Sequence, residues 1–180
     1  KLQLYVSLCR SKLETCSQLW SPQTKCDVLS VESVQRKMTK YITNYKDLSY
    51  TDRCFVLNIL PLSFRREIAD LTFLYKCIHR LIDVDFTDVL IFSSPSHTRF
   101  SEENILKVQR ARTESFKLSY FNRAIFLWNR LPSEIRCCTS LNTFKLKLTN
   151  FYMLKLRSYD VSNTCTILST CRCQGFYHVR

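Results

Sequence analysis

Apolar side chains recur at steps of three and four through most of this sequence, a spacing that confines the chain to helices burying one face each. The most regular run, Ile68, Leu71, Tyr75, Ile78 and Ile82, predicts a helix from about Leu62 to Ile82. Leu2, Tyr5, Val6, Cys9, Leu13, Cys16 and Trp20 predict a first helix, ended by Ser21-Pro22. Val28, Val31, Val34, Met38 and Ile42 predict a second with Asp27 as its cap and Arg36, Lys37 and Lys40 on its other side. Ser49 and Asp52 have the form of a capping box for a short helix through Leu57, and Pro61 stands where a first-turn proline is tolerated.

Phe116, Tyr120, Ala124, Leu127 and Trp128 predict a further helix stopped by Leu131-Pro132, and Leu141, Phe144, Leu148, Phe151 and Tyr152 a last one after Ser140. Between them, the apolar run Val89 to Phe92 and the alternating segment Ile105 to Ala111 predict two short strands. The expected fold is therefore mainly α: about six amphipathic helices with one small β-hairpin over about residues 89–111. A helical domain over 1–157 is expected to be followed by an irregular, poorly ordered Cys-containing tail over 158–180. The chain opens on Lys1 in the middle of an apolar pattern, which reads as a fragment truncated at its N-terminus.

Composition narrows the chemistry. One residue in 180 is glycine, Gly175, so the loops that cradle phosphates by letting backbone approach a ligand are excluded. With 27 basic against 15 acidic side chains the formal charge is +12, of which +9 lies after residue 90, and a field of that size favours polyanionic partners. The longest uncharged runs have 11 residues, too short to cross a bilayer. Ten cysteines without a signal segment or a glycosylation acceptor read as reduced thiols of a nuclear or cytoplasmic protein, with Cys54 and Cys77 as small buried hydrophobes.

Catalytic constellations are sparse. Asp83, Asp85 and Asp88 follow a helix and read as turn residues, and Cys77 and His79 are two apart on a helix, which turns them to different faces. Cys165, Cys171, Cys173 and His178 are zinc-type ligands in the tail, but their spacing lacks the Cys-x2-Cys pairing of zinc sites, so no cofactor is expected. Basic residues interleaved with aromatics remain: Arg99, Lys107, Arg110, Arg112, Lys117 and Arg123 among Phe100, Phe116, Tyr120 and Phe121. The cations suit phosphate contact, while the aromatics read as core.

Several stretches, in order, resemble the region that follows the polymerase domain in reverse transcriptases of animal non-LTR retrotransposons of the jockey-like LINE type. They include Leu4-Tyr5-x-Ser7-Leu8, Leu13-Glu14, Trp20-Ser21-Pro22, Val31-Glu32-Ser33-Val34-Gln35-Arg36-Lys37 with Thr39-Lys40, and Leu48-Ser49-Tyr50-x-x-Arg53. Leu60-Pro61-Leu62, Arg65-Arg66, Asp70-Leu71, Phe73-x-Tyr75-Lys76 and Thr98-Arg99 follow, then Phe121-x-Arg123, Trp128-Asn129-x-Leu131-Pro132 and Phe144-Lys145.

The resemblance implies a non-catalytic segment of an RNA-directed DNA polymerase, since no adjacent Asp-Asp pair occurs. Its implied partners are template RNA or target DNA and the upstream polymerase domain, with no membrane. Arg36, Lys37, Lys40, Arg65, Arg66, Arg99, Arg110, Arg112 and Arg123 are the expected phosphate contacts. The alternatives are a docking element for the missing thumb, or a decayed copy. The tail resembles the family's closing Cys-rich motif, with Ile167, Gln174 and Phe176 standing where that motif has Trp, His and Cys.

Overall fold

The computed structural model describes residues 1–44, 47–93 and 104–158. These residues are mainly helical, and they fall into two compact units: Lys1–Arg66 with the chain from Phe151 onward, and Glu67–Asn150. Among them no helix is long and apolar enough to cross a membrane.

In the first unit the chain starts as α1 (Leu2–Leu4), widens into a π-helical stretch (Tyr5–Arg10) and tightens again into α2 (Ser11–Glu14). The single helix expected through Trp20 is broken at Cys16, which takes a left-handed φ of 52° before α3 (Ser17–Trp20). The apolar stripe expected to be buried there is only partly so: Tyr5 is buried, Leu2, Val6 and Leu13 are half-buried, and Cys9, Cys16 and Trp20 are exposed, as are Leu4 and Leu8 outside the stripe.

Helix α4 (Lys25–Thr43) is capped by Thr24, not by Asp27: Thr24 Oγ1 accepts from the Asp27 amide at 3.2 Å and its hydroxyl donates to Asp27 Oδ2 at 2.6 Å. Asp27 is therefore the third residue of the helix, its amide capped by Thr24 and its carboxylate holding the Thr24 hydroxyl. The buried face of α4 also differs from the apolar series expected for it. Val28, Glu32, Gln35 and Thr39 point inward, at steps of three and four, while Val34 is exposed.

That polar stripe is buried because distant partners satisfy it. Tyr5 Oη donates to Gln35 Oε1 at 2.8 Å, and Gln35 Nε2 donates to Tyr50 Oη and to the Leu60 carbonyl, each at 3.0 Å. Tyr50 Oη donates in turn to Glu32. Burial next to the Glu32 carboxylate drives the Tyr50 hydroxyl well above its ordinary pKa, so it stays a donor.

Helix α5 (Tyr50–Val56) has the expected Ser49–Asp52 box, with the Asp52 amide 3.2 Å from Ser49 Oγ. Helix α6 (Leu62–Ile78) starts directly after Pro61, whose side chain offers no acceptor to a helix N-terminus. Glu32 takes that role from α4, accepting from the Leu62 amide at 3.0 Å and the Ser63 amide at 3.1 Å. A buried carboxylate thus meets the positive end of the α6 dipole. Near the end of α10 (Leu141–Ser158), Tyr152 packs on Phe64 with ring centroids 5.2 Å apart.

In the second unit α6 ends at Ile78, four residues before the expected Ile82. Arg80 adopts φ 51° and the Leu81 amide closes on the Lys76 carbonyl at 2.9 Å, a helix-terminating turn usually built on glycine. The chain has only Gly175 to offer, and the other left-handed positions among the described residues are Cys16, Asn44, Asn58 and Asn104. Asparagine is the side chain that best tolerates that conformation after glycine.

Among the described residues the expected hairpin is one antiparallel bridge, Phe92 with Leu106, flanked by Ser93 N to Ile105 O and Lys107 N to Ile91 O, each 2.8 Å. A side chain takes the place of a further strand. Asn129 accepts from the Leu106 amide at 3.0 Å and donates to the Leu106 carbonyl at 2.8 Å, while Trp128 Nε1 donates to the Asn104 carbonyl at 2.9 Å.

The helix expected from Phe116 to Trp128 is two helices, α7 (Glu114–Lys117), capped by Thr113, and α8 (Tyr120–Asn129). They part because side chains of α8 capture the carbonyls at the break: Asn122 Nδ2 reaches Phe116 O at 2.7 Å and Arg123 Nη1 reaches Leu118 O at 3.2 Å. Ala124, Ile125, Leu127 and Trp128 are buried with Leu71, Leu74, Tyr75 and Phe144. Tyr75 stacks on Phe144 at 4.4 Å between centroids, and Tyr75 Oη donates to the Cys138 carbonyl beyond α9 (Ser133–Arg136).

Candidate nucleic-acid interface

Eight of the nine expected phosphate contacts lie among the described residues, and they separate into three groups. Arg123 and Arg66 are buried. Arg123 keeps 4% of its surface, and its Nε donates to Asp70 Oδ2 at 3.0 Å, with Asp70 fully enclosed. An arginine committed to a buried carboxylate has no face left for a phosphate, which makes Arg123 structural, and Arg66 keeps only 1% of its surface.

A second group is half-engaged. Arg65 forms a two-pronged pair with Glu14, Nη2 to Oε2 at 2.8 Å, and Arg10 Nε lies 3.5 Å from the same carboxylate. The Arg36 guanidinium sits 4.7 Å above the Tyr50 ring, a cation–π contact.

Lys37 and Lys40 on α4, and Arg110 and Arg112 in the segment before Thr113, form the third group. All four are exposed and make no ion pair among the described residues. Arg99 lies outside the described residues, as do Cys165, Cys171, Cys173 and His178, and no cluster of three metal-type ligands occurs among the described ones.

Compact units redistribute the charge surplus that sequence halves place after residue 90. Residues 67–150 hold 12 basic and 9 acidic side chains, whereas 1–66 with 151–158 hold 13 and 5. Of those five acids Glu32 is buried, Glu14 is taken by arginines, and Asp27 and Asp52 hold the hydroxyls that cap their helices. The fifth, Asp47, is exposed beyond the end of α4, and neither Lys37 nor Lys40 forms an ion pair among the described residues.

One aromatic on that surface was missing from the sequence-derived set. Tyr41 is 62% exposed, four residues after Lys37 and next to Lys40, and the Lys1 ammonium lies 4.6 Å from its ring centroid. Its signal in the sequence is a tyrosine one helical turn from a lysine, outside the apolar series. The interleaved aromatics after residue 100 are more enclosed: Tyr120 and Phe121 are half-buried, although Phe116 is exposed.

Neither catalytic constellation assembles. Burial pushes the Cys77 thiol up to about 11, so it stays protonated near neutral pH, and His79 stacks on Tyr75 at 4.1 Å. Asp85 accepts from the Thr87 amide at 3.0 Å, the local turn capping expected of it, and that bond lowers its pKa. An open cleft of about 750 Å³ beside these residues pairs one cation, Arg80, with Asp83 and Asp85, a balance ill suited to phosphate.

No family model matches the chain, and neither a curated protein nor a solved structure was found to be similar to it.

Proposed function

We propose that this chain is a non-catalytic nucleic-acid-binding segment of a retrotransposon-type reverse transcriptase, working with an upstream polymerase domain on RNA or DNA. The observation that carries the reading is the uncompensated charge: exposed Lys37, Lys40, Arg110 and Arg112, in a chain whose best-placed carboxylates are used up internally. Such cations neutralise phosphates and release counterions. The family resemblance gains support from the way its motifs meet. Tyr5, Glu32, Gln35, Tyr50 and Leu60-Pro61-Leu62 share one hydrogen-bond network, and Asp70 pairs with Arg123.

Titrating a labelled RNA hairpin at several salt concentrations tests this. The log–log slope is expected to be steep, and Lys37→Ala or Lys40→Ala each to reduce it by roughly one unit, with the loss similar for every sequence tried. Binding indifferent to salt, or no binding at micromolar protein, overturns the reading.

A specific observation also favours a second role, docking on the polymerase thumb. Leu4 and Leu8, one helical turn apart before the break at Cys16, keep 64% and 60% of their surface, and Trp20 on α3 keeps 41%. Exposed apolar residues grouped in this way mark interaction surfaces. The isolated chain is then expected to self-associate in light scattering, and Leu4→Ser with Leu8→Ser to return it to a monomer. A wild-type chain monomeric at high concentration removes this role.

A further inference from the structure

We infer that Tyr41 is a stacking platform for an unstacked base, so that the α4 surface takes single-stranded nucleic acid in preference to duplex. The inference rests on the nucleic-acid reading above and specifies the strand form. Three observations converge on it. Tyr41 is the most exposed Phe, Tyr or Trp among the described residues, on a helix whose other side is buried. Lysines surround it: Lys1 with its ammonium 4.6 Å from the ring centroid, Lys40 beside it, and Lys37 about 6 Å of axial rise earlier. The acids of α4, Asp27 and Glu32, are respectively in the first turn and buried, so none faces the ring from its own helix.

Chemistry favours a base over a bare phosphate at this place. Tyr41 lies in the last turn of α4, where the helix dipole presents its negative end and weakens anion binding. Stacking on a neutral ring is unaffected by that field, and Lys37 and Lys40 can hold the phosphates on either side. In a duplex both faces of each base are already stacked, so the ring would gain nothing from it. Ring stacking is also tolerant of base identity, so RNA and DNA strands are both accepted.

The test measures binding of the whole chain to a 15-nucleotide oligo(U), a 15-nucleotide oligo(dT) and a 15-base-pair duplex by fluorescence anisotropy. Tyr41→Ala is expected to weaken both single strands about 5- to 100-fold, with duplex affinity and salt slope unchanged. Tyr41→Phe is expected to bind like the wild type, and circular dichroism to show the same helix content in both variants. Unchanged single-strand affinity in Tyr41→Ala, with Lys37→Ala still lowering the salt slope, overturns the stacking inference and leaves the basic reading intact. Absence of binding to all three probes overturns both.

Discussion

Glu32→Ala is expected to destabilise the first unit by about 3–5 kcal/mol. The carboxylate is enclosed and accepts from two backbone amides at the start of α6 and from the Tyr50 hydroxyl. Truncation leaves those donors buried without a partner, at about 1–3 kcal/mol for each orphan. Pro61 supplies no acceptor, and water has little access to a site walled by Tyr50, Leu62 and Cys54. Glu32→Gln retains one acceptor but turns an amide group toward a donor, so an intermediate loss of about 2 kcal/mol is expected. Urea titration followed by circular dichroism reads both variants. A loss below about 1 kcal/mol for the alanine variant would show that α6 starts without help from α4.

The Asp70–Arg123 pair in the second unit should give an effect of similar size with a different signature. Each single variant, Asp70→Ala or Arg123→Ala, leaves a charge in a site where Asp70 is 0% and Arg123 4% exposed, at a cost of about 3–5 kcal/mol. The double variant is expected to cost much less than the sum, because the penalty lies in the unpaired charge rather than in the pair itself. Arg123→Ala is also expected to leave the RNA salt slope unchanged. Additive losses in the double-mutant cycle, or a slope that falls by one unit in Arg123→Ala, would return this arginine to the binding surface.

Local chemistry was legible in the sequence and long-range satisfaction was not. The Ser49–Asp52 box, the Asp85 turn and the burial of Cys54 and Cys77 depend on residues a few positions apart, and each stands as the spacing indicates. The inward face of α4 could not be read that way. Glu32 and Gln35 are polar, and only partners 15 to 31 residues away make their burial favourable.

The candidate surface shows the same division. Lys37 and Lys40 are exposed as expected of lysines on the polar side of a helix, but Arg123 looks identical to them in a one-dimensional reading. Its enclosure depends on Asp70, 53 residues earlier. Tyr41 escaped notice because an aromatic is ordinarily assigned to a core, and only the placement of Tyr5 against Gln35 shows which side of α4 faces inward.

The first unit draws on both ends of the described chain, with residues 67–150 inserted between them. During synthesis from the N-terminus, the stretch 1–66 emerges long before Tyr152 and Leu156, which complete its core. Residues 67–150 are available as a contiguous block and can mature earlier, so the inserted unit is expected to reach its native state first. Until the C-terminal helix arrives, Phe64 stays uncovered and the emerging chain exposes a sticky surface to its neighbours. A nascent chain of this design would depend on chaperones for the interval between those two events.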